Sequence, residues 1–283
     1  MTNIYDNRRC SLGEGALWHP ERQQLFWFDI IGKRLLSVKD GQQLEWQFDN
    51  NVSAAGWIDR DNLLIASDNA FLTLNLETGA VTHLLDLEAD NATTRSNDGR
   101  ADPWGGFWIG TMGRKAEPGA GTIYRLFQGE VRPLFRGITI TNTICFAPDG
   151  SQAYFSDTAR QQIMVQPLDE EGWPQGDARV FLDLSGSGRN PDGAVVDASG
   201  CLWVAIWGES EVIRIAPDGQ IMQSVPLPAV QPTCPAFGGP NRDLLFVTSA
   251  AVDLHDPTDS DGRTFCLPAG VTGQAEHRVH AWA

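Results

Sequence analysis

The chain has 283 residues, of which 42% are hydrophobic and 20% are charged, so it can bury a core and lacks the composition of a disordered protein. Its formal net charge of −15 argues against nucleic acid as a partner, because phosphate backbones are bound by clustered Lys and Arg. The charge gives no reason to expect binding to anionic membranes, and no apolar run approaches the roughly 20 residues of a transmembrane helix.

Six short runs of aromatic and β-branched residues follow one another along the chain, each typical of a β-strand. In chain order they are LFWFD from residue 25, LLIAS from 63, FWIGT from 107, AYFSD from 153, LWVAI from 202 and LLFVT from 244. Their starts are 38, 44, 46, 49 and 42 residues apart. This spacing is close to the roughly 40–50 residues of one four-stranded propeller blade.

Further strands fit between these runs. RLLSV, FLTLNL, TIYRLF, QIMVQPL and VIRIA follow runs one to five and are usually succeeded by a turn. Helical periodicity is not sustained for three turns anywhere. We therefore predict an all-β fold, a single six-bladed β-propeller domain that spans residues 1–283, with the C-terminal HRVHAW segment closing the ring against N-terminal residues.

A polar residue lies ten or eleven positions before each run, near the start of the strand expected to be innermost in its blade. These residues are Glu14, Ser53, Asn97, Asn142, Asp192 and Thr233. Because the inner strands of a propeller line its central channel, equivalent positions from different blades converge around the axis. The six side chains are therefore expected to form one cluster.

Three members of this cluster, Glu14, Asn142 and Asp192, carry the oxygen ligands that a divalent cation prefers. Two carboxylates placed together without a cation would repel, and one would take up a proton. We therefore predict a central metal site that holds one divalent ion (Ca, Zn, Mn, Mg or Fe) and leaves positions open for water and substrate. The alternative is that these side chains only cap strand ends and turns, which is how we interpret Ser53 and Thr233.

Polar residues before the third run reach the same rim from the third blade. Arg95 and Asn97 are expected to donate hydrogen bonds to substrate hydroxyls or to a carbonyl oxygen. Asp98 precedes a glycine and is interpreted as a turn residue that bonds to backbone.

Five segments, in this order, resemble the gluconolactonase/regucalcin (senescence marker protein) family: LGEGALWHP, RSNDGRADPWGGFWIGTM, TNTICFAPDGSQAYFSDT, NPDGAVVDASGCLWVA and GVTG. The resemblance implies a six-bladed propeller whose metal is held by Glu14, Asn142 and Asp192, the residues that the repeat offset also selects. It further implies that Arg95 and Asn97 contact the substrate, a sugar lactone.

The chain departs from the family pattern at two places. Where regucalcin-like members have a carboxylate after GTM, this chain has Arg114 and Lys115. We take Lys115 as a substrate-binding residue, since a cation there favours an acidic or otherwise anionic lactone; the alternative is a loop lysine that is only solvated. Where the family has Asn-Gly, this chain has Asn142-Thr143, which keeps the ligand but lacks the conformational freedom of glycine.

The resemblance predicts a metal-dependent lactonase that hydrolyses an aldonolactone, such as a gluconolactone or xylonolactone, to the aldonic acid. The metal would polarise the lactone carbonyl, and Asp192 is the expected general base. Trp18 or Trp207 is a candidate wall of the sugar site. Serine-hydrolase chemistry is disfavoured, since no G-x-S-x-G motif occurs.

Three alternatives stay open: a lactonase for an anionic sugar lactone, an ester hydrolase of luciferin-regenerating or organophosphate type, and a non-catalytic calcium-binding regulator or interaction module. The expected partner is a small-molecule sugar lactone, without nucleic acid or membrane, and the chain is expected to be a monomer or weak homodimer. Five scattered cysteines and the absence of a signal-like apolar stretch after MTNIYDNRRC lead us to expect reduced thiols and a cytoplasmic location.

Overall fold

The computed structural model describes residues 2–280, which form twenty-four β-strands in six four-stranded sheets. The only helical element in this part of the chain is a single 3₁₀ turn at Thr158–Arg160. Among the described residues no helix is long and apolar enough to cross a membrane. The predicted all-β, six-bladed β-propeller is therefore confirmed, and its strands coincide closely with the runs that predicted them.

Each of the first five blades is built from four consecutive strands, paired antiparallel in chain order. Blade 1 contains β2 (Gly13–His19), β3 (Gln24–Asp29), β4 (Arg34–Lys39) and β5 (Gln42–Gln47). Blade 2 contains β6 (Val52–Trp57), β7 (Asn62–Ser67), β8 (Ala70–Asn75) and β9 (Val81–Asp86). Blade 3 contains β10 (Thr94–Ala101), β11 (Phe107–Gly113), β12 (Gly121–Phe127) and β13 (Glu130–Ile138). Blade 4 contains β14 (Thr141–Phe146), β15 (Gln152–Asp157), β16 (Gln162–Pro167) and β17 (Arg179–Asp183). Blade 5 contains β18 (Asn190–Val196), β19 (Leu202–Trp207), β20 (Glu211–Ile215) and β21 (Ile221–Pro226).

Blade 6 takes its outermost strand from the other end of the chain. Its strands are β22 (Gln231–Gly238), β23 (Leu244–Ala250), β24 (Thr264–Pro268) and β1 (Asn3–Asp6). Because β1 pairs with β24, the N-terminal strand closes the ring. The predicted closure by HRVHAW is wrong for residues 277–280, which form no strand. Residues 281–283 lie outside the described residues.

The first strand of each blade is the innermost one, and it contacts the first strand of the next blade around the whole ring, with β22 against β2. Every inner strand has a register irregularity against its second strand, which indicates a β-bulge. The irregularities begin at Glu14, Val52, Ser96, Asn142, Pro191 and Pro232. A bulge changes the direction of a side chain, so each blade redirects residues at the same level of the channel.

Large apolar side chains of the second strands fill the blades. Trp27, Trp108 and Trp203 are fully buried or nearly so, and each lies on the second strand of its blade. Burying such a side chain contributes roughly 1.5–3 kcal/mol to stability. The packed blades form a rigid frame that carries the redirected polar residues of the inner strands.

Residues 272–280, here called the C-terminal strap, cross the end of the channel where the inner strands finish. The backbone N–H of Gln274 bonds to the carbonyl of Val196, and the N–H of Val279 bonds to the carbonyl of Trp57. The N–H of His280 bonds to the carbonyl of Gly105. The strap therefore links blades 5, 2 and 3 at the end opposite to the first residues of the inner strands.

Candidate active site

A cavity of about 640 Å³ opens at the end of the channel where the inner strands begin. It is lined by all six residues predicted for the site: Glu14, Asn142, Asp192, Arg95, Asn97 and Lys115. Trp207 also lines it, whereas Trp18 is buried and stacked on Phe246 in the core. The structure thus brings together residues from blades 1, 3, 4 and 5, while their chemical roles remain predictions.

Local backbone geometry sets the direction of the candidate ligands. Gly15 follows Glu14 at a φ of 57°, and Thr143 follows Asn142 at a φ of 63°. This left-handed conformation is unfavourable for a β-branched residue. The hydroxyl of Thr143 donates a hydrogen bond of 2.7 Å to the carbonyl of Asp192. Thr143 therefore adopts a backbone conformation that favours glycine, and its hydroxyl ties blade 4 to blade 5.

A chain of hydrogen bonds holds the amide of Asn142. Asn97 Nδ2 donates to Asn142 Oδ1 at 3.0 Å, and Asn142 Nδ2 donates to Thr158 Oγ1 at 2.9 Å. The second N–H of Asn97 is engaged by the carbonyl of Thr141 at 2.8 Å. Both donors of Asn97 are therefore occupied, so the prediction that Asn97 donates to the substrate is wrong in this arrangement. Its Oδ1, which already accepts from Arg95 Nη1, can still accept from a substrate hydroxyl. Asn142 Oδ1 keeps a second lone pair for a ligand.

Two buried carboxylates dominate the electrostatics of the cavity. Glu14 is 6% exposed and Asp192 is 4% exposed, and no ion pair in the described chain includes either of them. Burial raises the pKa of Glu14 to about 8, and the negative charge of Asp98 adds to this rise. Burial, followed by the charge of Glu14, raises the pKa of Asp192 well above its usual value. Such a pair must either hold a proton or bind a cation.

Arg95 offsets part of this negative charge. Its Nη1 donates to Asn97 Oδ1 and to the carbonyl of Ser96, both at 2.8 Å. Burial lowers the pKa of Arg95 to about 10, against the attraction of Glu14. The guanidinium therefore stays charged at neutral pH and is already oriented beside the carboxylates.

Asp98 is a third buried carboxylate near this group, although the sequence pattern assigned it only to a turn. Its Oδ2 accepts a hydrogen bond of 2.7 Å from the backbone N–H of Ile144, in the next blade. Burial raises the pKa of Asp98 to about 6, while the bond from Ile144 and the charge of Arg100 oppose the rise. The sequence did not reveal this contact between blades, because an Asp before a Gly is common in turns and was interpreted in that way.

The remaining polar residues of the repeat position act as ties between blades. Ser53 Oγ donates to Ser96 Oγ at 2.8 Å, from blade 2 to blade 3. Thr233 Oγ1 donates to the carbonyl of Gly13 at 2.5 Å, from blade 6 to blade 1. These contacts agree with the structural roles that the sequence indicated for Ser53 and Thr233.

The donor set fits one divalent cation. Two carboxylates and one amide oxygen are hard ligands, and three protein ligands leave coordination positions for water and substrate. No group of three His, Cys, Asp or Glu residues suited to a metal is found between residues 2 and 280. The candidate site therefore depends on the amide of Asn142 in addition to Glu14 and Asp192.

Known proteins similar to this chain belong to one family and include sugar lactonases. The family model described as SMP-30/Gluconolactonase/LRE-like region matches residues 12–251. The chain is similar to a protein of Rhizobium meliloti named "Putative sugar lactone lactonase", with 40% identity over 94% of this chain and 92% of the relative. It is also similar to a 6-deoxy-6-sulfogluconolactonase of Pseudomonas putida, with 33% identity over 94% of each chain.

A solved structure is similar over almost the whole fold. It is that of a calcium-binding protein, regucalcin, from Agrobacterium tumefaciens, with 40% identity and a TM-score of 0.94. The similarity covers 98% of this chain and 96% of the other. The blade arrangement described above is therefore shared with a protein whose structure has been determined by crystallography.

Proposed function

The chain belongs to the SMP-30/gluconolactonase/LRE-like family and is a sugar lactonase, and we propose that it hydrolyses an aldonolactone with the help of one divalent cation. The observation that supports the cation is the pair of buried carboxylates, Glu14 and Asp192, which have no ion-pair partner in the described chain and converge with Asn142. The calcium-binding regucalcin of similar structure also supports a divalent ion. A cavity of about 640 Å³ is large enough for a sugar lactone.

Glu14, Asn142 and Asp192 would hold the cation, which when bound supplies a Lewis acid for the lactone carbonyl and a counter-charge for the two carboxylates. Asp192 is the proposed general base, because Glu14 and Asn142 can retain the ion while Asp192 accepts a proton. Water loses this proton as its oxygen bonds to the carbonyl carbon. The bond from that carbon to the ring oxygen then breaks, and the proton passes to the ring oxygen to give the hydroxyl of the aldonic acid.

Two residues of blade 3 would orient the sugar. Arg95 has N–H groups beyond the Nη1 that is bonded to Asn97 and Ser96, and these can donate to ring hydroxyls. Asn97 can accept one hydroxyl through Oδ1 while it positions the amide of Asn142. Positioning of this kind lowers the barrier by holding reactants in a reactive geometry.

The test is pH-stat hydrolysis of gluconolactone, xylonolactone, galactonolactone and arabinolactone, with an aryl ester as a comparison substrate. We expect one acid equivalent per lactone, loss of turnover after chelation, and recovery when one of Ca, Mg, Mn, Zn or Fe is added back. Turnover that survives complete chelation would refute the cation proposal. Tight, stoichiometric ion binding without turnover of any lactone would instead favour the calcium-binding regulator.

A further inference from the structure

The loop between β11 and β12 brings two adjacent cations, Arg114 and Lys115, to the rim of the cavity. Arg114 is already engaged by the protein. Its Nη2 pairs with Asp68 Oδ2 at 2.6 Å, and its Nη1 donates to Asn51 Oδ1 at 3.0 Å. Its Nε donates to the carbonyl of Ala92 at 3.2 Å. Arg114 therefore clamps the loop of blade 3 onto blade 2, and its charge is balanced by Asp68.

Lys115 has a fixed main chain and a free head group. Its backbone N–H donates to Glu117 Oε2 at 3.0 Å, and the next residue, Ala116, bonds back to the carbonyl of Gly113 at 2.9 Å. Within residues 2–280 its ammonium group has neither a hydrogen-bond partner nor a carboxylate at ion-pair distance. The main chain of Lys115 is thus held at the rim of the cavity. Its positive charge attracts the carboxylate of Glu117 in the same loop, but the two groups form no ion pair, so the ammonium remains available to a ligand.

The arrangement of charge around the cavity also predicts how an anionic substrate would be oriented. The carbonyl of a bound lactone belongs near the axis, beside Glu14 and Asp192. Lys115 lies in blade 3, and Asp253 lines the cavity from blade 6, three blades away in a ring of six and therefore on the opposite side. An anionic group on the substrate would be attracted towards blade 3 and repelled from blade 6.

We propose that Lys115 selects aldonolactones that carry an anionic group, a carboxylate, sulfonate or phosphate, on the carbon farthest from the lactone carbonyl. This inference rests on the proposed function, because it concerns which lactone the same site takes. The ammonium pairs with the anion while the lactone ring reaches the carboxylates at the axis. Arg114 does not compete for the anion because Asp68 and Asn51 hold it.

The experiment compares kcat/KM for neutral glucono-1,5-lactone with its 6-phospho, 6-deoxy-6-sulfo and 6-carboxylate (glucarolactone) counterparts, corrected for spontaneous opening. The variants are Lys115→Met, Lys115→Glu and the matched control Lys39→Met. Lys39 ends β4, is exposed and does not line the cavity, so its replacement removes the same charge elsewhere. In Lys115→Met the ratio of anionic to neutral kcat/KM should fall roughly five- to tenfold, mainly through KM, since one partly solvated ion pair is lost.

The ratio should fall further in Lys115→Glu and stay at the wild-type value in Lys39→Met. The anionic lactone whose ratio falls most identifies which anion is bound. An unchanged ratio in Lys115→Met, or an equal fall in Lys39→Met, would overturn the proposal.

If no lactone is hydrolysed, the proposed function fails but the inference is still decided by calorimetric titration of gluconate and 6-phosphogluconate. Tighter binding of the phosphorylated acid to wild type, lost in Lys115→Met, would support a role for Lys115 in anion binding. Equal affinities of wild type for the two acids would overturn it.

Discussion

The two ends of the central channel hold buried charge in opposite ways. At the end where the inner strands begin, Glu14 and Asp192 are buried without an ion-pair partner in the described chain, and the pKa of each is raised by burial. At the other end Arg100 forms an ion pair with Glu276, and their side chains are 10% and 6% exposed. Charge that is balanced within the chain serves the fold, whereas charge that is left unbalanced requires a partner from outside.

The paired end is closed as well as neutralised. The C-terminal strap brings Glu276 onto Arg100, and the space left beside them is only about 10 Å³. Burial acts to lower the pKa of Arg100, but the negative charge of Glu276, together with that of Asp98 and of nearby cysteines, raises it above its usual value, so the guanidinium stays ionised. The open end of the channel is therefore the cavity lined by Glu14 and Asp192.

The largest expected effect is the loss of turnover when Asp192 in the cavity is replaced. Asp192→Asn should reduce kcat by about 10²–10⁴-fold, the usual contribution of a general base. Much of the cation should remain bound, because the amide still offers an oxygen ligand. The measurement is kcat together with metal content of the same sample. A metal-replete Asp192→Asn protein that keeps turnover within tenfold of wild type would show that the base is another group.

Removal of the ion pair between Arg100 and Glu276 should reduce stability and not turnover. Glu276→Gln leaves the charge of Arg100 buried without its carboxylate, so the free energy of unfolding should fall by about 3–5 kcal/mol. Urea denaturation at neutral pH measures this loss. The exposed Glu21→Gln is the matched control and should change the value by no more than about 0.5 kcal/mol. A loss below about 1 kcal/mol in Glu276→Gln would show that the ion pair with Arg100 does not stabilise this end of the channel.

The buried carboxylates of the cavity also determine how stability depends on pH in chelator-treated protein. The pKa of Glu14 is raised from its usual 4.5 to about 8, so between these values the folded state binds more protons than the unfolded chain. The free energy of unfolding should therefore decrease as the pH rises from about 5 to 8, by roughly 1–4 kcal/mol. Thermal unfolding at both pH values, with chelator and with added cation, measures the effect.

Glu14→Gln provides the control for this dependence. The variant should make the pH profile of the chelated protein less steep, because one of the groups that gain a proton is gone, while burial still raises the pKa values of Asp192 and Asp98. Added cation should stabilise wild type more at pH 8 than at pH 5. A chelated wild-type protein that is equally stable at both pH values would indicate that the carboxylates are compensated within the chain.

Most of the fold was predictable because a propeller repeats one local pattern. The runs LFWFD and LWVAI, for example, coincide with β3 and β19, since continuous runs of aromatic and branched residues beside turns specify strands locally. The closure of the ring was not predictable in the same way. It depends on the pairing of β1 with β24, which joins chain segments that are far apart in the sequence and carry no special motif.

The residues of the candidate site that share one position in the repeat could be predicted from the sequence. Those whose roles depend on contacts between blades could not. The common offset located Glu14, Asn142 and Asp192 at one cavity. The role of Asp98 depends on a bond to Ile144 in the neighbouring blade, and no spacing rule within one blade reveals it. The ion pair of Arg100 and Glu276 joins residues 176 positions apart, so its existence follows only from the path of the strap.

Calorimetric titration of divalent cations into chelator-treated protein tests the central claim most directly. We expect one saturable site per chain, greatly weakened in Glu14→Gln and in Asn142→Ala and retained in the control Glu21→Gln. Protein that binds no ion in a saturable manner, or that binds it equally well after both substitutions, would contradict the account.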